Sequence, residues 1–270
     1  LFPVSQLGLA LYMFIVGMEF RLDIVKRNLR SSVVVSLAGM VVPFTLGATL
    51  AWFLYGRTDL NIFPSEVSLS SAMIFLGASM CITAFPMLAR IIHFKGLAGT
   101  NMGTIAIGAG AIDDAIAWCL LAIVLSAIDN NWTHALNSIC SGIGFVVIAF
   151  VLFKPLLAGM ERHLVRHESL TDTGLVIGLA CMLVGAWFTE SIHLHAVFGA
   201  FVMGSVMPRR TMRQDLVNRI QPLTVVLLLP LFFTYSGLNT KIGLINTAYL
   251  WLVCGAILVV AVLGLSLIHI

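Results

Sequence analysis

An all-α bundle of membrane-spanning helices is the fold class this sequence predicts, and three observations predict it. Hydrophobic residues make up 60% of the 270 and charged residues 10%, where an ordinary soluble domain carries about 25% charged residues. Mean hydropathy is +1.03. Apolar runs long enough, or nearly long enough, to cross a bilayer recur through the whole chain. The basic residues also alternate between connections: Arg21, Lys26, Arg27, Arg30, Arg90, Lys95, Lys154, Arg162, Arg166, Arg209, Arg210, Arg213 and Arg219 fall on one set, and only Arg57 and Lys241 on the other. Such a partition is the positive-inside asymmetry of a multi-pass protein, and a miscounted crossing would scramble it.

The runs cover residues 3–20, 32–55, 69–92, 102–128, 136–157, 172–189, 195–207, 217–236 and 247–268, which makes nine crossings with a seventh that is short for a bilayer. Leu1 then lies outside and Ile270 in the cytoplasm, as in a cell (inner) membrane. A net charge of +3 gives no case for nucleic acid. Cys81, Cys119, Cys140, Cys181 and Cys254 all fall in apolar runs, where they read as small hydrophobes without disulfide or metal spacing. No pattern calls for a cofactor. The chain opens at Leu1 with no signal peptide and stops in mid-run at Ile270, so it reads as a fragment lacking helices at both ends.

Taken in order, the first span ends in Glu19, Arg21 and Asp23, which read as solvated interface charges. Pro43 kinks the second, whose Trp52 and Tyr55 suit the outer interface. In the third span, Pro86 lacks an amide hydrogen and crowds the carbonyl of Ile82, freeing a backbone acceptor at membrane depth, with the hydroxyls of Ser79 and Thr83 beside it. Two readings stand: a broken helix that builds a cation site from carbonyl oxygens, or a proline kink healed by Thr83. The short turn 91–100 makes the third and fourth spans antiparallel neighbours.

The fourth span carries the chemistry. From Asn101 to Ile128 the only charges are Asp113 and Asp114, reached about twelve residues in, or ~18 Å at 1.5 Å per residue. That is mid-membrane, where even one ionisable side chain costs at least ~2.5–3.5 kcal/mol on insertion scales. Two like charges so close cannot both ionise cheaply unless a cation or a basic group sits beside them. A pair of this kind takes up either protons or a metal cation. The bland alternative is one neutral Asp hydrogen-bonded between packed helices. Neighbours on a helix point about 100° apart, so the two carboxylates cannot do the same job. Gly103, Gly108 and Gly110 thin this helix for close packing.

Beyond it, residues 136–207 are lipid-compatible, interrupted by a cytoplasmic loop over Lys154–Glu168. His163 and His167 there suit either pH sensing or plain solvated surface. Glu190, with His193 and His195, sits at an outer turn as a mouth carboxylate or an interfacial one. Pro222 and Pro230 break up the eighth span. Aligning 233–245 with 14–25 sets Gly237 on Gly17, Leu238 on Met18 and Lys241 on Arg21, one copy ending outside and the other inside, the arrangement of inverted repeats or of chance likeness in apolar sequence.

Phe14-Ile-Val-Gly-Met-Glu19, Ile82-Thr-Ala-Phe-Pro-Met-Leu-Ala-Arg90, Ile112-Asp-Asp-Ala-Ile-Ala-Trp118, His195-Ala-Val-Phe-Gly-Ala-Phe201 and Phe232-Phe-Thr-Tyr-Ser-Gly-Leu238 occur in this order along the chain. In order and spacing together they resemble the monovalent cation/proton antiporter family, the branch that includes bacterial sodium or potassium/proton exchangers and plant cation/proton exchangers. The resemblance runs along essentially all of 1–270 and implies one transmembrane antiporter domain, part of a larger one. In it, core-type helices over 32–128 and 247–270 move against a scaffold that dimerises, so a homodimer is implied. It implies that Asp114 binds the ion and carries the proton, and that Asp113 is a variable partner, Asp going with electrogenic and Asn with electroneutral exchange. Thr83 would lie at a crossing of broken helices. One departure matters: the family's Asp-Asp members are expected to place a Lys near Leu265, and this chain has none in 247–268.

The sequence therefore predicts exchange of Na⁺ or K⁺ for H⁺, with Asp113, Asp114, Thr83, Ile82 and Ser79 as the ion- and proton-binding residues. The alternatives are an intramembrane enzyme or a cation channel. A metal-dependent prenyltransferase needs several carboxylates on one helix face, but the residue three beyond Asp114 is Ala117. An intramembrane aspartyl protease needs two Asp on facing helices, and these are neighbours on one.

Overall fold

The computed structural model describes residues 2–20, 29–55, 62–64, 67–82, 85–97, 100–128, 132–166, 169–208 and 211–266. Arg21, Asp23, Lys26, Arg27, Arg57, Thr83, His167, Glu168, Arg209, Arg210 and the side chain of Leu265 lie outside that set. The described chain is helical apart from short connections and a two-stranded hairpin, Val165–Arg166 paired with Ser169–Leu170. Six of its helices are long and apolar enough to cross a membrane, and shorter apolar helices cover 69–81, 196–205 and 248–264. Each of these segments overlaps one of the predicted runs, but 69–81 covers only the first half of 69–92.

Helices α1 (Phe2–Glu19), α2 (Leu29–Tyr55) and α3 (Leu69–Cys81) come first, and α2 stays continuous through Pro43. Ser68 caps α3, its hydroxyl accepting from Ser71 N at 3.2 Å. After Ile82, which is extended at φ −76° and ψ 114°, α4 (Phe85–Phe94) begins with Pro86 in its first turn, where a missing amide hydrogen costs nothing. The third span is thus two helices rather than one kinked one. Gly96 turns the chain at φ +68° into α5 (Asn101–Ile128).

Two long helices of the second half absorb their prolines differently. In one, α6 (Trp132–Ile148) runs through a π-helical turn, Ala149–Phe153, into α7 (Lys154–Leu164). Between them stand α8 (Asp172–Ser191) and α9 (Ala196–Ser205). In the other, α10 (Thr211–Leu223) runs through the π turn Thr224–Leu228 into α11 (Leu229–Asn239). Each π turn lies just ahead of a proline, Pro155 or Pro230. Proline removes one backbone donor and crowds the carbonyl four residues back, and widening the preceding turn accommodates both. Two expectations are corrected here. Pro222 and Pro230 do not break the eighth span, and most of 154–168 is helix rather than loop. The last helix is α12 (Ala248–Ser266).

The chain forms two compact units. One holds 1–20 and 137–241, with a core of Phe14, Met182, Met203, Val206, Met212 and Leu216, each nearly or wholly buried. Small residues let its helices cross at backbone contact. A Cβ on Gly17 of α1 would stand 2.2 Å from Phe201 O on α9, and one on Gly204 of α9 would stand 2.2 Å from Phe14 O on α1. The hairpin is tied to α10: Asp215 Oδ2 accepts from Leu170 N at 2.7 Å and Arg219 Nη2 donates to Leu170 O at 2.6 Å. The other unit holds 21–136 and 242–270. In it α2 packs on α3, α5 and α12, and α5 packs on both α3 and α4. Ala51, Leu76 and Met80 form a small core there, covered by Leu50, Met73, Ile257 and Val260.

Candidate functional site

Asp113 and Asp114 stand at the centre of α5, the thirteenth and fourteenth of its 28 residues. A helix is the only economical way to hold charge there, because its backbone groups satisfy one another and leave the side chains free for partners. Both carboxylates are half-buried. Three elements surround this stretch. Gly110, one turn before the pair, abuts α4: a Cβ there would stand 2.9 Å from both Phe85 Cδ2 and Leu88 Cδ2. From α3, Cys81 at the last turn before the break lies within electrostatic reach of Asp113. From α2, Ser36 Oγ donates to Asp113 Oδ1 at 2.5 Å.

The pair is not equivalent. Asp113 has a hydroxyl donor from another helix, while Asp114 makes no hydrogen bond or ion pair among the described residues. No basic side chain pairs with either Asp among the described residues, and α12 carries none in its sequence. This pattern is what the 100° offset between adjacent helical positions allows: one carboxylate committed to a neighbour, the other uncommitted.

The remaining predicted site residues divide. Ile82 is non-helical, and its side chain is exposed. Ser79 is exposed, and its hydroxyl donates back to Leu76 O at 2.9 Å on its own helix. Thr83 lies outside the described residues. The break therefore sits on the helix against which α5 packs, with Cys81 near Asp113, while Ser79 is locally satisfied. Ser36 was not among the predicted residues. Its only sequence signal is a second serine, Ser32, four positions earlier in an apolar helix, placing both on one face.

Elsewhere, Glu190 at the predicted outer turn has a local hydrogen bond. Its Oε2 accepts from Ala196 N at 2.8 Å, closing the turn onto the amino end of α9, where negative charge is favoured. Glu190 acts as a cap. No group of three or more His, Cys, Asp or Glu side chains able to hold a metal occurs among the described residues.

Compared with known proteins, residues 3–268 match the family model described as sodium/hydrogen exchanger, transmembrane. The chain is 33% identical over 267 residues to the Na(+)/H(+) antiporter NhaS4 of Synechocystis sp., a match covering 98% of this chain and 64% of that protein. It is 33% identical over 252 residues to cation/H(+) antiporter 19 of Arabidopsis thaliana, covering 92% of this chain and 31% of that one. It is 30% identical over 255 residues to K(+)/H(+) antiporter 1 of Saccharomyces cerevisiae, covering 92% and 29%. The chain thus spans under two thirds of the first relative's length and under a third of the other two.

Proposed function

We propose, from the premise that this chain belongs to the sodium/hydrogen exchanger family, that it forms the ion-handling part of a secondary transporter exchanging Na⁺ or K⁺ for H⁺. The observation that carries the reading is the carboxylate pair at the middle of α5, packed beside an interrupted helix and lacking a basic partner among the described residues. A monovalent cation or a proton relieves the repulsion between two adjacent carboxylates, and each makes the other's binding unfavourable. Competition of this kind couples two gradients without any chemical step. Asp114, which has no hydrogen-bond partner among the described residues, is the exchanging carboxylate; Asp113 supports it.

For transport, the site must face each side in turn, and only the occupied, charge-compensated form should cross cheaply. The rocking of a core against a scaffold belongs to this proposal, as does the orientation with the richly basic connections in the cytoplasm. The names of the relatives support the cation/proton assignment for those proteins. Their split between Na(+), K(+) and unspecified cation leaves both ions as substrates to test.

The test is transport by the full-length protein in proteoliposomes carrying an internal pH dye. Addition of Na⁺ or K⁺ should move protons against the cation, and Asp114→Asn should reduce that movement to the rate of protein-free vesicles. Exchange that survives in Asp114→Asn, or a single-channel current with no proton coupling, would overturn the reading.

A further inference from the structure

Hydroxyls within the apolar helices of this protein mostly turn back on their own backbone. Thr49 donates to Thr45 O, Ser79 to Leu76 O, Ser205 to Val202 O and Thr224 to Ile220 O, all between 2.7 and 2.9 Å. That is the usual fate of a serine or threonine in a helix with no water to meet. Ser36 departs from it. It is 1% exposed, and its hydroxyl crosses from α2 to Asp113 Oδ1 on α5.

We infer that Ser36 is a positioning residue for ion binding: its hydroxyl fixes the Asp113 carboxylate and leaves that group's charge intact for the cation held at Asp114. The inference rests on the exchange reading above. A lysine or arginine at this place would also orient Asp113, but its own positive charge would cancel the carboxylate and repel an incoming cation. A hydroxyl orients without neutralising, and a hydrogen bond to an ionised group is stronger than one between neutral groups. The arrangement fits a chain whose α12 has no basic residue.

The neighbouring Ser32 provides a control built into the same helix pair. It is 0% exposed, and its hydroxyl reaches Ile105 O on α5 at 3.5 Å, so it contributes to the packing of α2 on α5 without touching a carboxylate. Among the described residues, the other titratable groups close to Asp113 are Asp114 on α5 and Cys81 on α3.

The experiment measures cation KM and maximal exchange rate at acid and alkaline pH for the full-length protein in proteoliposomes. Ser36→Ala, Ser36→Thr and Ser32→Ala are compared with wild type. Ser36→Ala should raise the KM for Na⁺ or K⁺ about tenfold, the scale of one lost hydrogen bond to a charged group, while maximal rate stays within about twofold. The defect should be larger at acid pH, where protons compete hardest for the pair. Ser36→Thr should restore KM, and Ser32→Ala should match wild type. A wild-type KM for Ser36→Ala at every pH overturns the inference, and so does an equal rise in Ser32→Ala, which would make the effect one of packing. If Ser36→Ala does not fold, Ser36→Cys replaces it. A thiol is a weaker donor, so an intermediate KM is expected and a wild-type KM overturns the inference. Wild-type protein that moves no cation against protons would instead remove the exchange reading beneath it.

Discussion

At the scale of single residues, the proposed exchange divides two adjacent carboxylates between two tasks. Asp113 is bound to Ser36, while Asp114 has no hydrogen-bond partner among the described residues, so of the pair's two carboxylates one is anchored by a donor among those residues. Removing the anchored charge while keeping an acceptor for the hydroxyl gives a specific outcome. Asp113→Asn should retain exchange at reduced rate and lose its response to an imposed membrane potential, because one fewer charge is compensated in each cycle. Vesicles clamped at different potentials read this directly, and a potential-sensitive Asp113→Asn would contradict the division of labour. The Asp pair was legible in the sequence because charge inside an apolar run stands out. Ser36 was not, because serine is neutral, usually satisfies itself within its helix, and here meets a residue 77 positions away.

At the scale of elements, glycine decides where helices touch and proline decides how they are interrupted. Gly17 and Gly204 face each other's helices so closely that a methyl group has nowhere to go. Gly204→Ala should therefore force α1 and α9 apart and lower stability by about 1–3 kcal/mol, the usual cost of overpacking. A thermal melt in detergent measures it, and an unchanged midpoint would contradict the crossing. Proline positions were plain in the sequence, but their consequences were not. Pro86 opens a new helix after an extended residue, whereas Pro155 and Pro230 follow π turns within continuous helices. A missing amide hydrogen permits either result. The aligned segments at Gly17 and Gly237 behave alike in one respect: α1 ends at Glu19 and α11 at Asn239, each two residues later. Their surroundings differ, since a Cβ on Gly237 would meet nothing within 4 Å.

At the scale of the whole molecule, hydropathy made the all-helical, membrane-spanning class legible, and charge asymmetry supplies an orientation to be tested. The grouping of helices into two units needed contacts between segments more than a hundred residues apart, as where α1 packs on α9. The orientation predicts opposite labelling of two exposed lysine positions. Lys241→Cys should react with a membrane-impermeant thiol reagent applied from outside intact cells, and Lys95→Cys only after permeabilisation; the reverse would invert the protein. The central claim, that one carboxylate pair holds cation and proton by turns, is tested most directly without transport. Titrating the weakly buffered, purified full-length protein with Na⁺ or K⁺ should release protons in a saturable manner, needing more cation as pH falls, and Asp114→Asn should release none. Proton release of unchanged size from Asp114→Asn, or cation binding that displaces no proton from wild type, would contradict it.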